Sequence, residues 1–292
     1  MRVFVTGATG FVGSAVVREL RDAGHQVVGL ARSDAAAAAE AHLGDLDDLH
    51  GLREGARATD GVIRLAYRND LVFNGDLDSA GRADLRAIEA IGEALDGTGK
   101  PFVVPSGTLS VSPGGRATGE DEPDPASHRA PAENAALALA RRGVRSSVVR
   151  LPPSVHGDGD TGFVPALIRI ARDSGVAGYV DDGANRWPAV HNRDAANLLR
   201  LALEEAPAGA RLHAVDDEGV PFREIADVIG IQLDVPVKSI PDDEKNAHFG
   251  FLSAFVSRDV PVSSELTRKL LDWRPTRPRL LQDLHVGHYF TG

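Results

Sequence analysis

Three glycines at positions 7, 10 and 13, in the run TGATGFVG from Thr6 to Gly13, are the residues whose type and spacing point most directly to chemistry. They follow a β-branched apolar run, MRVFVT, and open a segment from Phe11 to Gly24 with Val12, Ala15, Val16 and Leu20 at helical spacing. A strand that turns through glycine straight into a helix offers backbone N–H groups and the positive end of the helix dipole to an anion. Gly7 then permits the tight turn, Gly10 admits a pyrophosphate close to the backbone, and Gly13 lets the helix sit on the strand. With Thr9, Phe11 and Val12 in the same loop, these residues predict a dinucleotide site. A second strand, His25 to Ala31, runs into Arg32 and Ser33. A carboxylate there would bind a ribose 2′-hydroxyl, whereas a guanidinium beside a hydroxyl suits a 2′-phosphate, so NADP(H) is favoured over NAD(H). If Arg32 is only a solvated loop cation, Asp34 is left to bind a ribose.

The elements that must position these residues alternate along the first half. A helix-prone stretch, Asp34 to Ala41, precedes a very short strand at Ala41 to Leu43. GVIRLAY (Gly61 to Tyr67), PFVVPS (Pro101 to Ser106) and VRSSVVRL (Val144 to Leu151) read as further strands, with helices at Asp78 to Leu95 and Ala130 to Arg142 between them. Such units imply a parallel sheet with right-handed crossovers. The fold expected is α/β, a doubly wound parallel Rossmann sheet over residues 1–151. Beyond Pro152 the elements are shorter and mixed, including Phe163 to Arg172, Arg193 to Glu204 and Phe222 to Ile229, which predicts a smaller C-terminal α/β substrate lobe over 152–292.

Composition narrows the function. With 42% hydrophobic and 25% charged residues in 292, the chain is an ordinary folded protein. Its net charge of −10, with no local basic stripe, argues against nucleic acid as a partner. No cysteine is present, which removes disulfides and thiolate chemistry. No apolar run approaches the roughly 18 residues of a membrane span, and Met1 to Gly13 is too broken for a secretory leader, so no membrane and a cytoplasmic location are expected. Ten histidines show no metal spacing; His285 and His288 have no accompanying carboxylate constellation, and no bound metal is expected. The apolar face of the helix from Asp78 can be covered by the sheet alone, which leaves monomer and homodimer both open.

TGATGFVG, GDLDD (Gly44 to Asp48), LAY (Leu65 to Tyr67) and VHGDGD after the sixth strand together resemble an extended or atypical short-chain dehydrogenase/reductase, of the epimerase/dehydratase-like kind, over nearly the whole chain. The resemblance implies that Asp45 and Leu46 lie beside the adenine and that Ala66 and Tyr67 run along the cofactor. It also implies that the segment of Pro152 and Val155 meets the nicotinamide through its backbone, with His156 where the family usually has Tyr. WPAVHNRDAANLL (Trp187 to Leu199) resembles the family's return segment, so 188–214 is expected to pack back on the Rossmann lobe, with His191 and Asp194 as anchors. Asn185 and Trp187 fall in a substrate-facing region, though a tryptophan there is as readily core.

The departure is at the active site. Family enzymes carry a Tyr and, four residues on, a Lys that lowers the phenol pKa; none of Tyr67, Tyr179 and Tyr289 is followed by such a Lys. Aligned on that helix, Arg129 stands for Tyr and Glu133 for Lys. The two should share a helical face, Arg129 binding an oxyanion or a substrate carboxylate and Glu133 acting as acid or base, or else forming a surface ion pair. Ser106 and Thr108, after the fifth strand, are candidates to bind the reacting oxygen or are ordinary turn hydroxyls. Tyr67 offers a phenol from the opposite side of the cleft. The function expected is an NADP(H)-dependent oxidoreductase acting on a small carbonyl or unsaturated substrate. The alternatives are a non-redox isomerase, lyase or dehydratase using Glu133 for proton transfer, and a catalytically silent NADP-sensing binding protein.

Overall fold

A computed structural model of the protein describes residues 1–31, 40–111 and 124–291. The first half runs β1 (Arg2–Thr6), α1 (Phe11–Asp22), β2 (Gln26–Ala31), β3 (Glu40–Leu43), α2 (Leu49–Arg57), β4 (Gly61–Arg64), α3 (Asn69–Phe73), α4 (Leu77–Leu95), β5 (Pro101–Gly107), α5 (Ala130–Ala138) and β6 (Arg145–Leu151). The second half runs β7 (Ser154–His156), α6 (Phe163–Ser174), β8 (Ala177–Val180), β9 (Arg186–His191), α7 (Asn192–Glu205), β10 (Ala210–His213), β11 (Asp217–Pro221), α8 (Phe222–Leu233), β12 (Val237–Ile240), α9 (Lys245–Phe249), α10 (Glu265–Leu271) and α11 (Leu280–His285).

Seven parallel strands form one sheet in the order β10, β6, β5, β4, β1, β2, β3. Their side chains alternate between two dry layers, as a parallel sheet covered on both faces requires. Val3, Val5, Ile63, Val103 and Val149 face a core completed by α1 and α7. Phe4, Val62, Phe102, Val104 and Val148 face the opposite core, completed by α2, α4 and α5. This parity matters for function, because it sends the residues two positions on, Arg64, Ser106 and Arg150, to the α4 and α5 side.

Two sequence expectations need correction. Glu40 belongs to β3, which includes the strand expected at Ala41 to Leu43, and not to the helix expected over Asp34 to Ala41, whose remainder lies outside the described residues. Helix α2 was not anticipated, because glycines 51 and 55 depress its intrinsic propensity. It forms because the Asp48 carboxylate caps it, accepting from Gly51 N–H at 2.9 Å. Gly55 lets it press on the sheet: a Cβ there would lie 2.6 Å from the Phe4 ring.

The second lobe is built on two small sheets, β11, β9, β7 and β12, β8. Its core gathers Trp187, Phe222, Phe249 and Leu280 between α6, α8 and α11. Helix α7 lies along α1, and β10 pairs with β6, so this part of the chain belongs to the large sheet layer. No described helix is long and apolar enough to cross a membrane.

Candidate active site

The glycine loop has the backbone geometry its sequence demands. Gly7 has φ +71°, and a Cβ there would meet Ala66 N at 2.7 Å. At Gly13 a Cβ would lie 1.9 Å from the Gly7 carbonyl oxygen, so only glycine lets α1 start this close to the loop. The cap residue Gly10 has no side-chain hydrogen bond to offer, and the first turn of α1 contains no acid. The leading amides of Phe11, Val12 and Gly13 therefore have neither helical partners nor a carboxylate, and Thr9 and Gly10 are exposed beside them. This is a cradle for a diphosphate, and the residues present fit one. Arg32 and Ser33, the expected determinants of the 2′-position, lie outside the described residues. Asp45 is exposed and uses Oδ1 to accept from the amides of Asp47 and Asp48 at 2.9 and 3.0 Å, shaping the turn that carries Leu46 into α2.

The loop leads directly to a second set of groups. Thr6 Oγ1 accepts from Ala66 N at 3.1 Å and holds the exit of β4 against the loop. The next residue, Tyr67, stacks under Arg129, whose guanidinium carbon is 4.3 Å from the ring centroid. Arg129 Nη2 donates to the Pro105 carbonyl at 2.8 Å and lies 3.6 Å from Asp84 Oδ2. The other Asp84 oxygen is paired with Arg64, at the end of β4; both of these side chains are 1% exposed. Ser106 and Thr108, at the end of β5, are also buried. Among the described residues, buried polar atoms without a hydrogen-bond partner here are Arg64 Nε and Nη1, Arg129 Nε, Tyr67 Oη, Ser106 Oγ, Thr108 Oγ1 and both Asp84 oxygens, the last held by charge pairing alone. Native interiors rarely leave so many polar groups unmet in one place, which marks a site for a polar ligand.

Electrostatics sharpen this. Burial pushes the Tyr67 phenol up from its ordinary value, opposed by Arg129, so the hydroxyl keeps its proton. Burial lowers Arg64, against the pull of Asp84. His128 beside them is lowered by burial and then by Arg129, and is neutral. Tyr67 therefore does not face Arg129 across the cleft, as the sequence reading had it; the two are one stack.

Glu133 needs a larger correction. Its carboxylate is fully buried and takes Arg150 Nε at 3.1 and 3.3 Å. Arg150 Nη1 reaches His213 Nε2 at 3.2 Å, and His213 Nδ1 lies 2.8 Å from the Ser263 carbonyl. Arginine donates only, so Nε2 accepts and Nδ1 carries the proton, which fixes a neutral tautomer. Spacing of four puts Arg129 and Glu133 on adjoining turns, yet long side chains end where their partners are. Arg129 reaches out to Tyr67 and Pro105, and Glu133 drops beneath α5 to β6. It forms a buried ion pair with Arg150 and not a surface one.

The second lobe supplies less than expected. Pro152 is buried and Val155 half-buried, in and just before β7, where Val155 pairs with Val190. His156, expected next to substrate, is 0% exposed; its Nδ1 is 2.8 Å from Asp283 Oδ2 and its ring meets His191 edge-on at 5.4 Å. It joins β7 to α11 instead. Burial drives His191 down to about 4. Nearby, Tyr289 accepts from Gly157 N–H and donates to Asp160, both at 2.9 Å. Asn185 Nδ2 donates to the Val256 carbonyl at 2.8 Å, and Trp187 is wholly buried, 4.9 Å from the Phe222 ring, in the core of the lobe. Among the described residues no group of three or more His, Cys, Asp or Glu is placed to hold a metal ion.

Arg64, Asp84, Arg150 and His213 were missed by sequence reasoning. The available signal was an arginine following two apolar residues near the end of each of two strands, VIR and VVR, and an aspartate on the buried face of a helix.

The family model described as NAD dependent epimerase/dehydratase family matches residues 3–215. An uncharacterised protein of Schizosaccharomyces pombe is 47% identical over 298 residues, 99% of this chain and 100% of its own. The 2-alkyl-3-oxoalkanoate reductase of Stenotrophomonas maltophilia is 29% identical over 259 residues, 81% of this chain and 77% of its own. Among solved structures, a dTDP-glucose 4,6-dehydratase from Streptomyces venezuelae with NAD bound matches at a TM-score of 0.78 and 19% identity, covering 99% of this chain and 97% of its own, a likeness of fold.

Proposed function

The chain belongs to the NAD dependent epimerase/dehydratase family, and from that premise we propose that it is an NADP(H)-dependent oxidoreductase of the atypical short-chain type, acting on a small carbonyl or unsaturated substrate. The observation that carries the reading is the join between the two halves of the site: Ala66 lies against Gly7, and its neighbour Tyr67 lies under Arg129. A diphosphate cradle and a set of unmet polar groups thus adjoin. Gly7 to Gly13 would hold the diphosphate, Asp45 and Leu46 the adenosine side, and Ala66, Pro152 and Val155 the nicotinamide side. When bound, such a coenzyme supplies or accepts a hydride at the substrate carbon.

The remaining steps fall to the chain. Ser106 and Tyr67 offer O–H donors to the substrate oxygen. As a carbonyl is reduced, a C–H bond forms, the C=O π pair moves onto oxygen, and the Arg129 charge favours the oxyanion. A guanidinium does not release its proton near neutrality, so Tyr67 gives the proton that completes the hydroxyl and solvent restores it. The 2-alkyl-3-oxoalkanoate reductase relative supports a carbonyl as the reducible group. With Glu133 tied to Arg150, the isomerase, lyase or dehydratase alternative loses the group assigned to its proton transfer.

The test follows NADPH absorbance against a panel of ketones, oxo acids and enones. Consumption is expected with at least one class; turnover without absorbance change, or tight NADP binding with no turnover of any substrate, would overturn the reading. For the coenzyme, Arg32→Ala should weaken NADPH about 10- to 100-fold, the size of a lost charge-assisted hydrogen bond, and leave NADH nearly unchanged. Equal losses would remove Arg32 from the 2′-phosphate.

A further inference from the structure

Two guanidiniums, Arg64 and Arg129, share a single carboxylate, Asp84. The other titratable groups facing them among the described residues do not balance the charge. His128 and Tyr67 are neutral, Glu133 is committed to Arg150, and Asp78 lies at the exposed start of α4 beside His128. Counted over the described residues, the cluster therefore carries one positive charge in excess, in a place where Arg64 and Asp84 are almost inaccessible to water. A buried charge without a partner is strongly unfavourable, and its usual resolution is a counter-ion. Arg129 is the most accessible of the three: its side chain is 17% exposed, and its Nε, itself buried, has no acceptor among the described residues.

We propose that Arg129 receives the carboxylate of a short oxo acid, with Arg64 and Asp84 holding the guanidinium in place from below. This rests on the oxidoreductase reading and names its substrate class. A planar fork suits a carboxylate better than a lone carbonyl, and it fits a substrate whose keto oxygen and carboxylate oxygen lie on the same side. The keto oxygen of such a substrate would then meet the unmatched hydroxyls of Ser106, Thr108 and Tyr67. Arg64 acts through Asp84 and is a positioning residue.

The experiment compares 3-oxobutanoate with its methyl ester, by calorimetry on protein with and without NADP and by NADPH consumption. The wild type should bind the acid at least about tenfold more tightly than the ester, the discrimination expected of one charge-assisted pair. Arg129→Ala should erase that preference, and Arg129→Lys, which keeps the charge without the fork, should restore part of it. Equal binding of acid and ester, no binding of the acid, or a preference that survives Arg129→Ala would overturn the proposal. Acid binding that depends on Arg129 but brings no NADPH consumption would uphold the carboxylate site and sink the redox reading. Consumption with neutral ketones and no acid preference would do the reverse.

Discussion

Arg64 and Arg150 make a controlled comparison within one molecule. Both sit near the C-terminal ends of neighbouring-region strands of the same sheet, both face α4 and α5, and both are buried. Arg150 has both oxygens of Glu133 at hand and His213 as a further acceptor. Arg64 has one oxygen of a carboxylate that Arg129 also approaches, and two of its three guanidinium nitrogens have no acceptor among the described residues. A saturated network ties layers together, here α5, β6, β10 and the Ser263 segment. An unsaturated one of the same chemistry waits for a ligand. Burial of an arginine therefore says little about its purpose; the count of its acceptors says more.

The largest effect that tests this contrast is on stability. Glu133→Ala strands a buried guanidinium and should cost about 3–5 kcal/mol, read by urea or thermal unfolding. Pairing it with Arg150→Met should recover most of the loss, since both charges are then gone. An unchanged unfolding curve with lost turnover would instead return Glu133 to catalysis. Arg64→Met should move the other observable: kcat/KM falls about tenfold, the usual penalty for removing the support of a working group, with a smaller change in unfolding. Were Arg64→Met to unfold the protein as severely as Glu133→Ala, the two clusters would be alike and the distinction would fail.

The smallest effect concerns a half-buried acid with no cation bonded to it. Asp160 is held by Gly162 N–H and Tyr289 O–H, and burial raises it from 3.8 to about 6. The folded protein then binds this proton more tightly than the unfolded chain does, so the group's contribution worsens as pH climbs from 3.8 to about 6 and stays unfavourable above. Asp160→Asn should match the wild type near pH 4 and exceed it at pH 7 to 8, followed as the difference in Tm across pH. A difference that is flat, or that grows toward acid, would show that the carboxyl is not perturbed in this way.

Much of the fold was legible because it depends on patterns that lie close together in the chain. The first βαβ unit runs only from Arg2 to Ala31, the apolar face of α1 and the glycine loop lie within it, and at Gly7 and Gly13 backbone geometry leaves no other residue type available. Side-chain partners were not legible in the same way. Arg64 and Asp84 are 20 positions apart and meet only because a parallel sheet lays α4 over β4; Glu133 and Arg150 meet through α5 and β6. Reading Arg129 and Glu133 as a pair extended a local rule to residues whose ends answer to different strands. Trp187 shows the complementary limit, since a large aromatic in a loop-like stretch carries no mark of which side of the lobe will cover it.

On the proposed mechanism Arg129 steadies the oxyanion and Tyr67 supplies the proton in place of the absent Tyr and Lys. The most direct test is the kcat/KM of NADPH-dependent carbonyl reduction by Arg129→Ala, with and without added guanidinium ion. Turnover should drop about 10²- to 10³-fold, as when an oxyanion donor is removed, and the free ion should restore part of it while unfolding stays near that of the wild type. A variant that reduces its substrate at the wild-type rate, or one that guanidinium leaves untouched, would contradict the assignment.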